Sequence, residues 1–94
     1  MSDNAQLENE TLLGGWTNYH APTPADLAVF SEALNGLLGV RYRPTLVATQ
    51  IVSGTNYRFQ CIASVVHSGL TYDVIASIYR PLRGKSVLVE ITPI

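Results

Sequence analysis

From residue 41 onward the chain reads as a series of short runs of alternating side chains separated by tight turns, and this limits the fold more than any other feature. Tyr57, Phe59, Cys61, Ala63 and Val65 fall on one side of a run, with Arg58, Gln60 and Ser64 on the other. That two-residue period belongs to a half-buried strand. After His67-Ser68-Gly69 the same period resumes, with Leu70, Tyr72, Val74, Ala76 and Ile78 on one face. A first run over residues 42–52 carries apolar residues on both faces, and a last run covers residues 85–92. The turn chemistry between runs lies in Ser53-Gly54-Thr55-Asn56, in His67-Ser68-Gly69 and in Arg80-Pro81-Leu82-Arg83-Gly84. Connections this short place consecutive strands side by side and antiparallel, as a meander.

Ahead of the strands lies a helix. Thr23 suits the N-cap, Pro24 the first helical position, and Asp26 the positive end of the helix dipole. Leu27, Phe30, Leu34 and Leu37 or Leu38 recur at three- and four-residue steps, which predicts one apolar face. Gly39 is the expected stop, and Gly36 weakens the last turn by about 1 kcal/mol relative to Ala. Residues 1–11 lack periodicity and read as a flexible tail, leaving residues 12–94 as a single domain. The expected class is therefore α+β, an antiparallel sheet with one helix across a face.

Composition removes several function classes. The 94 residues suit one domain, and 47% hydrophobic content is that of a globular chain. With a formal charge of -1 and scattered basic residues (Arg41, Arg43, Arg58, Arg80, Arg83, Lys85), no nucleic-acid partner is expected. No apolar run reaches the roughly 18 residues of a bilayer span, so no membrane is expected either. Met1-Ser2-Asp3-Asn4 does not open a secretory signal, and the lone Cys61 allows no internal disulfide. Both point to a reducing, cytoplasmic setting; a secreted origin stays open if a leader has been trimmed.

Chemistry-bearing residues are sparse. Cys61 on an inward-facing strand position reads as a core thiol, since free cysteine is commonly buried. His20 and His67 lie on separate loops and form no metal-ligand spacing with it. Asp26, Glu32, Asp73 and Glu90 read as cap and surface charges. Neither a metal nor a cofactor is expected, and no paired catalytic set is present, so the chain is not read as an enzyme.

Apolar residues near turns are more informative. Ile51 and Val52 stand immediately beside the first turn, where water-facing polar residues are the rule. Exposed apolar surface on a protruding tip marks a partner site, and packing against a neighbouring loop is the alternative. Alternate turns of a meander lie at the same end of the sheet, so the tip near residue 53 and the tip near residues 80–84 are neighbours. A helix of about 15 residues spans roughly 22 Å, and the first strand runs back along it. The first tip thus reaches the level of the helix N-terminus, as does Leu12-Leu13-Gly14. Trp16, just beyond, is expected to pack inward. Three separate segments converge on one rim, forming a wedge.

The string Gln50-Ile51-Val52-Ser53-Gly54 resembles the Gln-x-Val-x-Gly signature of the cystatins, and Gly54-Thr55-Asn56-Tyr57 extends it in the manner of the stefin branch. The resemblance covers residues of about 12 to 92. It implies the cystatin-like fold and a reversible, tight-binding, non-covalent inhibitor of papain-like cysteine proteases. In that family an N-terminal trunk and two hairpin loops fill the active-site cleft. Carried over, Leu12 and Leu13 occupy non-primed subsites, and Gly14, with Gly15 as the alternative, matches the N-terminal glycine. Gln50, Ile51, Val52, Ser53 and Gly54 form the first loop, and Pro81 with Leu82 the second. Here the chain departs from the family: Arg80-Pro81-Leu82 replaces the Leu-Pro common in stefins and the Pro-Trp of secreted cystatins. The absence of disulfides agrees with the stefin branch. The resemblance also implies a monomer able to form a domain-swapped homodimer through the first hairpin. A non-inhibitory interaction module of the same fold is the second reading.

Overall fold

The computed structural model describes residues 14–94. The tail read over residues 1–11, and Leu12 and Leu13, lie outside the described residues. Four strands form one sheet in chain order: β1 (Val40–Val52), β2 (Gly54–Val65), β3 (Thr71–Arg80) and β4 (Val87–Pro93). Each is antiparallel to the next, as the short turns require. With one helix among the described residues, α1 (Pro24–Ala33), the fold is α+β and consistent with a cystatin-like arrangement.

The sheet has an inner row that crosses all four strands. Val47 stands opposite Phe59, Phe59 opposite Ala76, and Ala76 opposite Ile91. Tyr57, Cys61, Ala63, Val74 and Ile78 continue this buried face, and Val29 and Phe30 of α1 close it. The Phe30 and Phe59 rings meet edge to face, 4.9 Å between centroids, a favoured aromatic geometry. Pro44 lies in β1, where its missing N–H is tolerated because β1 borders the four-stranded sheet. The register slips just after it, between Pro44 and Leu46, and Thr45 Oγ1 donates to the Gln60 carbonyl at 3.1 Å.

The start of α1 follows its sequence signals. Thr23 Oγ1 accepts from the Asp26 amide at 3.1 Å, while the Asp26 carboxylate accepts from the Thr23 amide at 3.0 Å. This reciprocal capping box, with Pro24 next, fixes the first turn. The end does not follow them. The helix stops at Ala33 with Leu34 as its cap, rather than continuing to Gly39. Gly36 adopts a left-handed φ of +91°, and Leu37 closes a short turn onto the Leu34 carbonyl. Leu37 and Leu38 therefore leave the helix, and Leu38 is 92% exposed. Leu27 is also exposed; the packing stripe is Val29 and Phe30, with Ala33 and Leu34 at its edge.

Length explains a second departure. A ten-residue helix covers about 15 Å, whereas strands of 12–13 residues extend about 40 Å. The helix cannot cover both ends of the sheet. Leu70 and Tyr72, expected on the core face, stay exposed, while Val74, Ala76 and Ile78 of the same run are buried.

Candidate functional site: a rim built from three segments

The first hairpin turns on a single residue. Val52 already pairs with Gly54, leaving Ser53 alone at the tip. Gly54, Thr55 and Asn56, read as turn residues, instead belong to β2 and face Val52, Ile51 and Gln50. The reason is at Gly54, which is buried with a φ of +103°. A Cβ on it would stand 2.4 Å from the Arg80 carbonyl oxygen, 2.8 Å from the Tyr79 hydroxyl and 3.1 Å from Pro81 Cα. Only glycine permits this approach. The Tyr79 hydroxyl also donates to the Ser53 carbonyl. The tip is thus seated on the end of β3 and on Pro81, and the two loops are neighbours, as alternate turns of a meander must be.

The second loop, residues 81–86, is held from the helix side. The Ser86 amide donates to Glu32 Oε1 at 2.7 Å. Chiefly that amide, with a lesser pull from Lys85, holds the Glu32 carboxyl below its ordinary range, against the opposing effect of burial. Pro81 is half-buried, whereas Leu82 is 79% exposed and projects from the loop.

The third segment is the stretch from Gly14 to His20, which runs antiparallel along the free edge of β1. Trp16 bridges to Gln50 and His20 to Val47. The Thr17 amide donates to the Thr49 carbonyl at 2.9 Å, and Thr17 Oγ1 accepts from the Thr49 amide at 3.0 Å. At the rim, the Gly14 amide donates to the Ile51 carbonyl at 3.0 Å. Gln50 Nε2 donates to the Gly14 carbonyl at 3.0 Å, and Gln50 Oε1 accepts from Asn56 Nδ2 at 2.8 Å. Gly14 has a φ of +82°, in the left-handed region. Gly15 beside it is half-buried.

Trp16 does not pack inward. It pairs with Gln50, on the sheet face that carries Arg58, and the Arg58 guanidinium lies 4.0 Å from the Trp16 ring centroid. This cation–π contact ties the trunk to the outer face of the sheet.

Gly14, Gly15, Gln50, Ile51, Val52, Ser53, Gly54, Pro81 and Leu82 therefore meet at one end of the sheet. Ile51 is 42% exposed and Val52 half-buried beside the tip. Sequence reasoning missed Asn56, Tyr79 and the Glu32–Ser86 contact. Asn56 was within reach: a one-residue turn at Ser53 sets it opposite Gln50. Tyr79 had no such signal, because its partner is a main-chain carbonyl 26 positions away.

Elsewhere the structure offers little chemistry. Cys61 is buried, its Sγ 3.5 Å from the Phe59 carbonyl. Burial pushes its thiol up to about 11, opposed by a backbone hydrogen bond from Ala76, so at neutral pH it is a protonated core group. His20 Nε2 lies 3.8 Å from the Asp26 carboxylate, at the helix start. Among the described residues no group of three or more His, Cys, Asp or Glu could hold a metal ion, and no helix is long and apolar enough to cross a membrane. Compared with known proteins, the chain matches no family model, no curated protein and no solved structure.

Proposed function

We propose that this protein is a cystatin-type inhibitor of papain-like cysteine proteases, acting by seating its rim in the active-site cleft without forming a covalent bond. The observation that carries this reading is the meeting of three segments at one edge: the trunk is hydrogen-bonded to the first tip, and the tip is seated against the end of β3 and Pro81 of the second loop, with Ile51 and Leu82 exposed and Val52 half-buried beside them. The Gln-x-Val-x-Gly resemblance supplies the partner class. The physical logic is exclusion. A peptide bond offered in productive register is cut, so the trunk must leave the cleft before the nucleophile. Gly14, already at a positive φ, provides that change of direction. The tip is held by Gly54 and Tyr79 before any partner arrives, which limits the ordering cost of association. A swapped dimer formed by straightening β1 into β2 would consume the Ser53 turn, so it is expected to be inactive while the monomer inhibits.

The second reading, a non-inhibitory interaction module on the same fold, draws on the second loop, where Arg80-Pro81-Leu82 departs from both cystatin patterns. Titration of papain and cathepsin-like enzymes with the purified monomer separates the two. Stoichiometric, reversible inhibition is expected. Full protease activity in the presence of micromolar protein would overturn the inhibitor reading.

A further inference from the structure

We infer that Gln50 is a positioning residue: its side-chain amide, braced by Asn56, holds the trunk at Gly14 against the first hairpin. The inference deepens the inhibitory reading above, since it assigns Gln50 the presentation of the trunk rather than contact with the protease.

The hydrogen-bond chemistry leaves one arrangement. The Gly14 carbonyl can only accept, so the Gln50 atom facing it at 3.0 Å must be Nε2. Oε1 then faces Asn56, and the Asn56 atom 2.8 Å away must be the donating Nδ2. The Gly14 carbonyl thereby sets which way round the Gln50 amide stands, and Asn56 braces it there by donating to Oε1. Reversed, Gln50 would set oxygen against oxygen at Gly14 and release the trunk. The Gly14 amide bonds to the Ile51 carbonyl, and the next described bond along the trunk is at Thr17. Among the described residues, the Gln50 amide supplies one of the two hydrogen bonds to Gly14, at the position where the trunk must be aimed.

Three variants of the full chain test the relay: Gln50→Ala, Gln50→Glu and Asn56→Asp. Two quantities are read, the exchange protection of the Gly14 amide and the rate of dissociation from papain. Loss of one neutral hydrogen bond makes Gln50→Ala lower Gly14 protection about fivefold. Dissociation rises by a similar factor with association unchanged, and the Phe59 and Val74 amides keep their protection. Asn56→Asp acts in the same direction, because a carboxylate there turns the Gln50 amide round.

Gln50→Glu supplies the readout that a merely structural role would not move. At pH 7 its carboxylate repels the Gly14 carbonyl, and protection falls. Near pH 4 and below the protonated acid can donate to that carbonyl, so protection relative to wild type recovers. Unchanged Gly14 protection in Gln50→Ala, or a Gln50→Glu deficit that does not recover on acidification, overturns the inference. The exchange measurement needs no protease. If the wild-type protein failed to inhibit papain, the proposed function would fall while exchange still decided the relay.

Discussion

Among the described residues, the two ends of the sheet both expose large apolar side chains, and the far end exposes more. Around the β2–β3 turn, Leu37, Leu38, Val66 and Leu70 are exposed, with Leu38 at 92% against 79% for Leu82 and 42% for Ile51 at the rim. What separates the ends is how the backbone beneath is held. Far-end hydrogen bonds are mostly local, such as Val65 to Leu70 and Gly69 to Val65, with Val66 to Gly39 as the link across segments. The rim instead ties Gly14 to Ile51 and Gln50, Gln50 to Asn56, Ser53 to Tyr79, and Ser86 to Glu32. Exposure alone therefore does not choose a binding surface. Apolar side chains on a frame fixed in advance can bind without a large ordering cost; the same side chains on a local turn cannot.

A charge placed at each end gives the sharpest test of this contrast. Val52→Asp puts an unpaired carboxylate in the centre of the proposed interface, where it costs several kcal/mol, and papain inhibition should weaken on the order of a hundredfold or more. Thermal stability should hardly change, because Val52 is only half-buried. Leu38→Asp should leave both inhibition and stability as they are. Equal loss of inhibition from the two variants would mean that the far end binds the protease as well.

Glycine carries the next comparison. Gly54 and Gly69 both stand at positive φ, so alanine strains either backbone by roughly 1–2 kcal/mol. At Gly69 nothing lies within 4 Å of the added methyl, and the loss should stop there. At Gly54 the methyl meets the Arg80 carbonyl and Pro81, both main chain, so Gly54→Ala should lose about 3 kcal/mol. Urea unfolding of the two variants measures the gap. Equal midpoints would show that the tip can lift away from β3 freely.

What the sequence disclosed follows the same division. The meander, the inner row and the capped start of α1 were legible because each rests on a local rule: a two-residue period, short turns, and Thr23 with Asp26 three positions on. The convergence of the two loops was legible too, since alternate turns of a meander share an end. The helix end was misread because Leu34 and Leu37 keep helical spacing across Gly36, whose positive φ breaks the helix. Trp16 was misplaced because its face is set by pairing with Gln50, a contact across 34 positions. The ties that make the rim rigid, Tyr79 to Ser53 and Ser86 to Glu32, were not legible at all. They join groups whose nearness depends on the finished packing.

Truncation of exposed leucines refines the contrast further. Leu82 projects from the second loop at the proposed interface, so Leu82→Ala should weaken inhibition about fivefold, as expected for partial burial of one leucine. Leu70→Ala, at the far end, should change nothing measurable in the same assay. If Leu82→Ala is also silent, Arg80-Pro81-Leu82 contributes no contact, and inhibition rests on the trunk and first tip alone.

The smallest expected effect concerns pH, and it too distinguishes the ends. Glu32 accepts from the Ser86 amide, and its carboxyl is held below the ordinary value of 4.5 chiefly by that bond. A carboxyl depressed by folding contributes stability that is present above the unfolded value and lost as pH falls through the folded one. Ser86 amide protection should therefore hold from neutral pH down to about 4.5 and decline below it. In Glu32→Gln the decline should be absent and the protection lower at pH 7, because a neutral amide accepts more weakly than a carboxylate. Added salt should diminish only the smaller part that Lys85 supplies, since the Glu32 side is open to solvent. At the far end, Val66 donates to the Gly39 carbonyl, a bond between two uncharged groups, and its protection should not follow that titration. Parallel decline of the Ser86 and Val66 amides on acidification would show that the whole sheet is loosening and that Glu32 does not hold the second loop.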